Sequence, residues 1–514
     1  VLSARIEDPH IQQSVTKNLK RHKATWRIIW LVILLLTISA GVYGYMRFAW
    51  YGREKVTVLL AEGQQHEGRL EFTAALKAYN NAMALEAIAR PGAAQAAFKA
   101  ANLNTRKSNH LEAQRLLTKA EKLDNSVAVY SLALGDSYLR TRTFDQAEQA
   151  FDRALEKSQD ADYESAAAET AQAHVGLARI RLAEQDRDGA SSRVTSALES
   201  NKDDLEAQVL KAVLVIHTDP SDSAELLSQA AKSTDAGIAA TAKSLAVVAD
   251  QIEASDDDSV SPAYERVEVG TALVEHNELD AALLELADAT DRDEKYRDAW
   301  VNRAQAEVLL GKLDEAQTSI DTALKLDPTF GFSRYVAGQI AQARGNLEDA
   351  QKAYEQAIEQ RTSDPQVYVA LAQVLVARDD KTAAIEQLES AVSAEIVSRD
   401  VFDQLFWLLL ENDQNEKALE VAEAYVAFDE RGTTAQGLLA YAQLVNREEE
   451  LARKTADELV VRDPLSAIGA YVLAVLDEDP VLFQKALDLD LGGRVAGMAK
   501  AALEGRDGSV CCAD

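Results

Sequence analysis

Small residues return in this chain at steps of 34, and no other feature restricts its fold so strongly. Gly311 is followed by Gly345, Leu313 by Leu347, Ala316 by Ala350, Ile320 by Tyr354 and Ala323 by Ala357, each pair 34 residues apart. From Ala350 the same step runs through Ala384, Ala418, Ala452 and Ala486, and backward from Ala316 it reaches Ala282. Ala75, Ala113, Ala147, Ala190 and Ala224 carry the landmark in other phases. A period of this length belongs to a stacked repeat, in which each unit is one supersecondary element that buries its apolar side only against its neighbours.

Residues 299–328, AWVNRAQAEVLLGKLDEAQTSIDTALKLDP, spell out the unit. Two amphipathic stretches meet at Gly311, and Pro328 closes the pair, so the unit is a helical hairpin. Only 23 Gly and 8 Pro occur in 514 residues, with 6% aromatic residues, which excludes a turn-rich all-β chain. Alanines such as Ala316, Ala350 and Ala384 allow helices to approach closely, and Phe151, Tyr354 and Leu388 fill the space beside them. The expected class is all-α.

Breaks in phase divide the array. The spacing is 38 between Ala75 and Ala113, 43 between Ala147 and Ala190, and 58 between Ala224 and Ala282. The last gap holds one helix near 236–254 and then SDDDSVSP, a charged run ending in Pro that reads as a loop. The expected organisation is an N-terminal lobe over 56–254, an acidic loop over 255–261, a C-terminal lobe over 262–504 and a disordered tail over 505–514. One continuous superhelix with a long surface loop satisfies the same pattern. The segment 491–505 is expected to cap the array, and self-association stays open because an uncapped solenoid can stack on itself.

These units resemble the tetratricopeptide repeat (TPR) family, whose pattern is W-x2-L-G-x2-Y, then A-x3-F-x2-A, then P. Leu134, Gly135, Tyr138, Ala147, Phe151 and Ala154 match it in one unit, and Trp300, Ala316, Ile320, Ala323 and Pro328 in another, where Arg303 and Ala304 depart from Leu-Gly. The resemblance implies a right-handed superhelical solenoid whose first helices line a concave groove. It also implies which positions face that groove. The ninth position is Gln305, Gln339 and Gln373 in successive units, then Trp407 and Tyr441, with Phe332, Tyr335 and Gln342 nearby. A glutamine offers both a donor and an acceptor, and aromatics beside amides suit an extended peptide or a partner helix. Glutamine is also a good former of a solvated helix face, which is the competing reading. The clamp this family uses for C-terminal carboxylates needs basic groove residues. The fifth position here gives Val301, Tyr335, Val369 and Asp403, so a chaperone-tail receptor is not expected.

Ahead of the repeats, residues 28–46 (IIWLVILLLTISAGVYGYM) form a run without a charge. About 20 apolar residues span a ~30 Å hydrocarbon core. Trp26 and Trp30 at one end and Tyr43, Tyr45, Phe48, Trp50 and Tyr51 at the other suit the two interfaces. A transmembrane helix over 26–50 is expected, after a short basic N-terminus over 1–25. A cleaved signal peptide is the rival, but its apolar core is ~7–15 residues and no AxA-like site follows. Lys17, Lys20, Arg21, Lys23 and Arg27 precede the helix, against Arg47, Arg53 and Lys55 after it. The positive-inside rule then keeps the N-terminus cytoplasmic and exports the array, as in a single-pass inner-membrane protein with a periplasmic domain. Residues 1–55 are net +6 within a chain of −30, so the remainder carries −36. Such acidity repels nucleic acid and favours basic or amphipathic partners.

Chemistry is not spelled out. Nucleotide loops of the GxxxxGK[ST] and GxGxxG types, HExxH and GxSxG are missing, the seven histidines are scattered, and Cys511 and Cys512 sit side by side at the end. No catalytic residue, cofactor or metal is expected. The sequence points to a membrane-anchored scaffold that binds other proteins. A non-catalytic subunit of an envelope enzyme or biogenesis complex fits the same residues.

Overall fold

The computed structural model describes residues 9–159, 161, 163–254, 261–360, 363–490 and 493–505, with side chains from 30 onward except 48 and 49. Most of the expected acidic loop, and the tail with Cys511 and Cys512, lie outside the described residues. Every regular element among the described residues is an α-helix. In chain order they are α1 (Pro9–Gly68), α2 (Phe72–Met83), α3 (Arg90–Arg106), α4 (His110–Leu123), α5 (Ala128–Arg140), α6 (Phe144–Ser158), α7 (Ala166–Ala183) and α8 (Arg187–Ser200). Then come α9 (Leu205–Val215), α10 (Pro220–Ala230), α11 (Ala236–Ala254), α12 (Pro262–Glu275), α13 (Leu279–Arg292), α14 (Arg297–Leu309), α15 (Leu313–Leu326), α16 (Gly331–Ala343) and α17 (Leu347–Glu359). The last are α18 (Pro365–Ala377), α19 (Lys381–Ser393), α20 (Arg399–Glu411), α21 (Asn415–Phe428), α22 (Thr433–Val445), α23 (Glu449–Arg462), α24 (Ala467–Asp477), α25 (Pro480–Asp490) and α26 (Arg494–Leu503).

Most hairpins close through one residue with left-handed backbone, the α9–α10 turn being an exception. Asn277, Gly311, Gly345, Asp379, Asp413 and Arg447 all have positive φ and follow one another at 34 residues. Glycine relieves the steric cost at only two of them, and Asn or Asp tolerates it at three more. Inside the hairpin, a small residue on the first helix faces a large one 16 residues later on the second. A Cβ on Gly135 would come within 2.6 Å of the Phe151 ring, and one on Gly338 within 2.4 Å of Tyr354. Ala304 and Ile320, then Ala372 and Leu388, hold the same two positions, and in α20 and α21 the sizes reverse to Phe406 and Ala422. All six are fully or almost fully buried. In these five hairpins the pair keeps a similar summed volume while its members vary, as close packing favours, whereas Ala440 and Ala456 hold the same positions in α22 and α23 with two small residues.

The chain divides into two compact units, Val1–Asn102 with Lys119–Asn125, and Leu103–Thr118 with Ser126–Asp514. In the first, α1 is one helix of 60 residues. Its apolar stretch from Trp30 is long enough to cross a membrane and is exposed throughout. Without a break it continues into a first hairpin helix: Val56 and Leu60 are buried, and Gly63 lies against Tyr79 of α2. The Tyr79 hydroxyl donates to Glu67 Oε2 at 2.9 Å.

In the second unit the hairpins α5–α6, α7–α8 and α9–α10 stack in sequence, α11 stands without a second helix, and pairing resumes from α12–α13 to α24–α25. One apolar core joins α7 through α14, with residues from Ala171 to Ala249 and from Val267 to Ala306. The two expected lobes therefore share a core across the 255–261 segment. A second core runs from Val301 to Ala499. The extra helix α11 accounts for the 58-residue phase break, and beyond it the chain returns so that α13 packs against α7.

Candidate protein-docking groove

Consecutive first helices touch one another, α5 with α7, α7 with α9, α12 with α14 and on to α20, then α22 with α24 and α24 with α26, with a gap between α20 and α22. Consecutive second helices are not among the closely packed pairs. The first helices therefore form the inner wall of a curved stack, and their free faces make a groove.

Of the groove positions expected from the sequence, Gln373 is exposed, and Gln305, Phe332, Gln339 and Gln342 are half-buried. Tyr335, Trp407 and Tyr441 are buried in the wall itself. Phe332 sits between Phe330 and Tyr335, with ring centres 6.3 and 5.9 Å away. Tyr335 in turn touches Tyr354 at 5.8 Å. Burial pushes the Tyr335 phenol up to about 12, and the charge of Asp364 adds to the rise. The Oε1 atom of Gln339 is buried without a hydrogen-bond partner, an acceptor with unused capacity. Gln342 turns inward, and its Oε1 accepts the Tyr354 hydroxyl at 2.7 Å, so its carbonyl serves the hairpin. Trp407 and Tyr441 come together at 5.6 Å and extend into a ladder through Tyr471 at 6.0 Å and Phe483 at 5.7 Å.

Two features escaped the sequence. One is a polar cleft of about 520 Å³ formed where α13 returns to α7, with Asp136, Arg140, Gln172, Arg179, Glu206 and Glu278 among its lining. Arg179 bridges Glu206 (2.7 Å) and Glu278 (2.8 Å). Asp136 is open to water yet walled by protein on most sides. That enclosure, with Glu206 nearby, raises its carboxyl to about 6. The other is a latch beneath the cleft. Glu285 is fully buried and meets Arg187 (2.6 Å), Arg266 (2.6 Å) and His217 (3.1 Å), while Arg142 grips Asp280 with two bonds of 3.1 and 2.9 Å. These partners lie up to 138 residues apart, across the interrupted period, so no spacing could announce them.

Stacked helical hairpins with an open inner wall define a repeat protein built for protein–protein contact. A family model described as tetratricopeptide repeat matches residues 106–162, 132–190, 269–329 and 335–396. The chain carries tetratricopeptide repeats over these stretches. Among solved structures it is similar to the Cut9–Hcn1 hetero-tetramer of the APC/C, at 13% identity over 88% of this chain and 96% of that one, TM-score 0.37. It is similar also to yeast Tom70, at 15% identity over 88% and 98%, TM-score 0.35. A third is YrrB, a TPR protein with an unusual peptide-binding site, at 19% identity over 37% and 97%, TM-score 0.30. No curated protein matches the chain.

Proposed function

We propose that this is a membrane-anchored docking protein. Its repeats hold segments of other proteins along the inner wall, and α1 tethers them to a membrane. The observation that carries the reading is the run of Gln305, Gln339 and Gln373, one period apart on successive first helices, with the unused acceptor of Gln339 at its centre. An amide at each step of the groove can bracket the backbone of an extended partner with little demand on its side chains. The charge supports a basic or amphipathic partner, since −36 beyond residue 55 steers cations toward the repeats. The excess of Lys and Arg before the apolar run supports an N-terminus in the cytoplasm and an array on the far side of an inner membrane, within a cell-envelope complex. No bond-making step is assigned to the chain.

Cross-linking from a photoreactive residue at Gln373 in the full chain tests the groove. Alanine at Gln305, Gln339 and Gln373 together should cut capture of the wild-type partner about tenfold or more, the equivalent of ~1.4 kcal/mol, with helix content unchanged. Undiminished capture would remove the groove from the reading.

A further inference from the structure

The first helices α20 and α22 are not among the closely packed pairs, unlike α18 with α20 and α22 with α24. A recess of about 310 Å³ opens there, lined by Asp403 and Trp407 of α20, Thr434 and Leu438 of α22, and Asp463 and Asp490 of later elements. It is already occupied at one side. Arg494, the first residue of α26, lays its guanidinium over the Trp407 ring with 4.7 Å to the centroid and donates to Glu411 Oε1 at 2.7 Å. The contact reaches back 83 residues along the chain. The Asp403 carboxyl lines the recess alongside the Trp407 ring.

An indole face with carboxylates at its edge is a receptor for a planar cation. A guanidinium stacks on the ring and donates in a fixed fork to the acids, whereas an ammonium is a compact charge that does neither as well. Asp403, Asp463 and Asp490 face the cavity alongside the single Arg494, so the recess carries surplus negative charge. Arg494 itself stays 41% exposed in its pair with Glu411, which water and salt weaken enough for exchange.

We propose that the recess beside Trp407 is a subsite for an arginine side chain of a partner segment, held in this structure by the chain's own Arg494. The proposal rests on the docking-groove reading and gives it a chemistry: the segment laid along the inner wall presents an arginine at α20 and displaces α26 there. The C-terminal helix is then an internal competitor, and affinity for a partner is reduced by the fraction of time it is seated.

The test uses the full chain in mild detergent with a fluorescein-labelled hexa-arginine peptide, and a hexa-lysine peptide beside it. Arg494→Ala should tighten hexa-arginine binding about tenfold by vacating the recess, and Glu411→Gln added to it should return binding to the wild-type level. Hexa-lysine should gain little. Loosening of α26 in the Arg494→Ala protein does not obscure the result, because an unseated helix also frees the recess. Equal binding by wild type and Arg494→Ala overturns the subsite. An equal gain for hexa-lysine overturns it as well, assigning the attraction to general acidity. If the alanine set at Gln305, Gln339 and Gln373 still abolishes partner capture, the groove stands and only the arginine subsite falls.

Discussion

At the scale of single residues, five of the hairpins rest on pairs of positions whose summed volume is similar. Gly338 is small because the Tyr354 ring occupies the place where its Cβ would stand, 2.4 Å away. A Gly338→Ala change gains up to ~1 kcal/mol of helix propensity. It also overpacks a buried ring, which costs roughly 1–3 kcal/mol. Tyr354 is fully buried and hydrogen-bonded to Gln342, so it has little room to move, and the clash should prevail. Thermal unfolding should therefore show a lower midpoint for Gly338→Ala, with partial recovery when Tyr354→Leu is added, and a raised midpoint for the single variant would contradict the packing. The sequence displayed the periodic small residues but not this pairing, because Phe406 opposite Ala422 obeys the same volume rule with the sizes exchanged. A pattern search sees residue types, whereas the hairpin responds to their sum.

At the scale of elements, α1 joins two roles that the sequence separates. The apolar run was expected to end near residue 50 and the array to begin at 56, yet one helix carries the chain from Pro9 to Gly68. Nothing between the two segments breaks a helix: residues 51–55 hold a single Gly or Pro, Gly52, which lies against Ile88 with no room for a Cβ. The first hairpin is thereby continuous with the apolar stretch of the same helix. A chain begun at residue 51 should leave the membrane pellet and remain soluble in water with the α1–α2 hairpin intact. A chain begun at residue 69 strips Tyr79 of its cover, and hydrogen exchange over 72–83 should rise sharply. Protease added outside spheroplasts should digest the repeats of the full chain. Full protection from that side would reverse the proposed orientation, and a start at 69 without faster exchange would detach α1 from the hairpin.

At the scale of the whole second unit, a buried carboxylate ties the returning α13 to α8 and to the turn after α9. Burial alone would raise the pKa of Glu285, but the His217 hydrogen bond and the charges of Arg187 and Arg266 outweigh it and hold the group near 2. Its folded pKa lies below the ordinary value of 4.5, so the stability it contributes is complete above that value and is lost as pH falls toward 2. Glu285→Gln should cost roughly 3 kcal/mol at neutral pH, the low end for a broken buried pair because Arg187 can reach water. In denaturant titrations the gap between wild type and variant should narrow as pH falls from about 4.5 toward 2. A gap that stays constant across that window would mean that the charge of Glu285 does not hold the latch.

The sequence by itself determined the class of fold, the hairpin unit and its period, the apolar run ahead of the repeats and their acidity. All of these are local or periodic, written in spacings of a few residues or in multiples of 34. Only the tertiary structure decided which groove positions stay open and which enter the wall: Gln373 is exposed, while Tyr335, Trp407 and Tyr441 are buried. It likewise decided that the chain folds back through Glu285 and Asp280, and that Arg494 sits on Trp407. The physical reason is separation along the chain. Contacts across 83 to 138 residues depend on the accumulated rotation of every hairpin between them, and that sum appears in no single repeat.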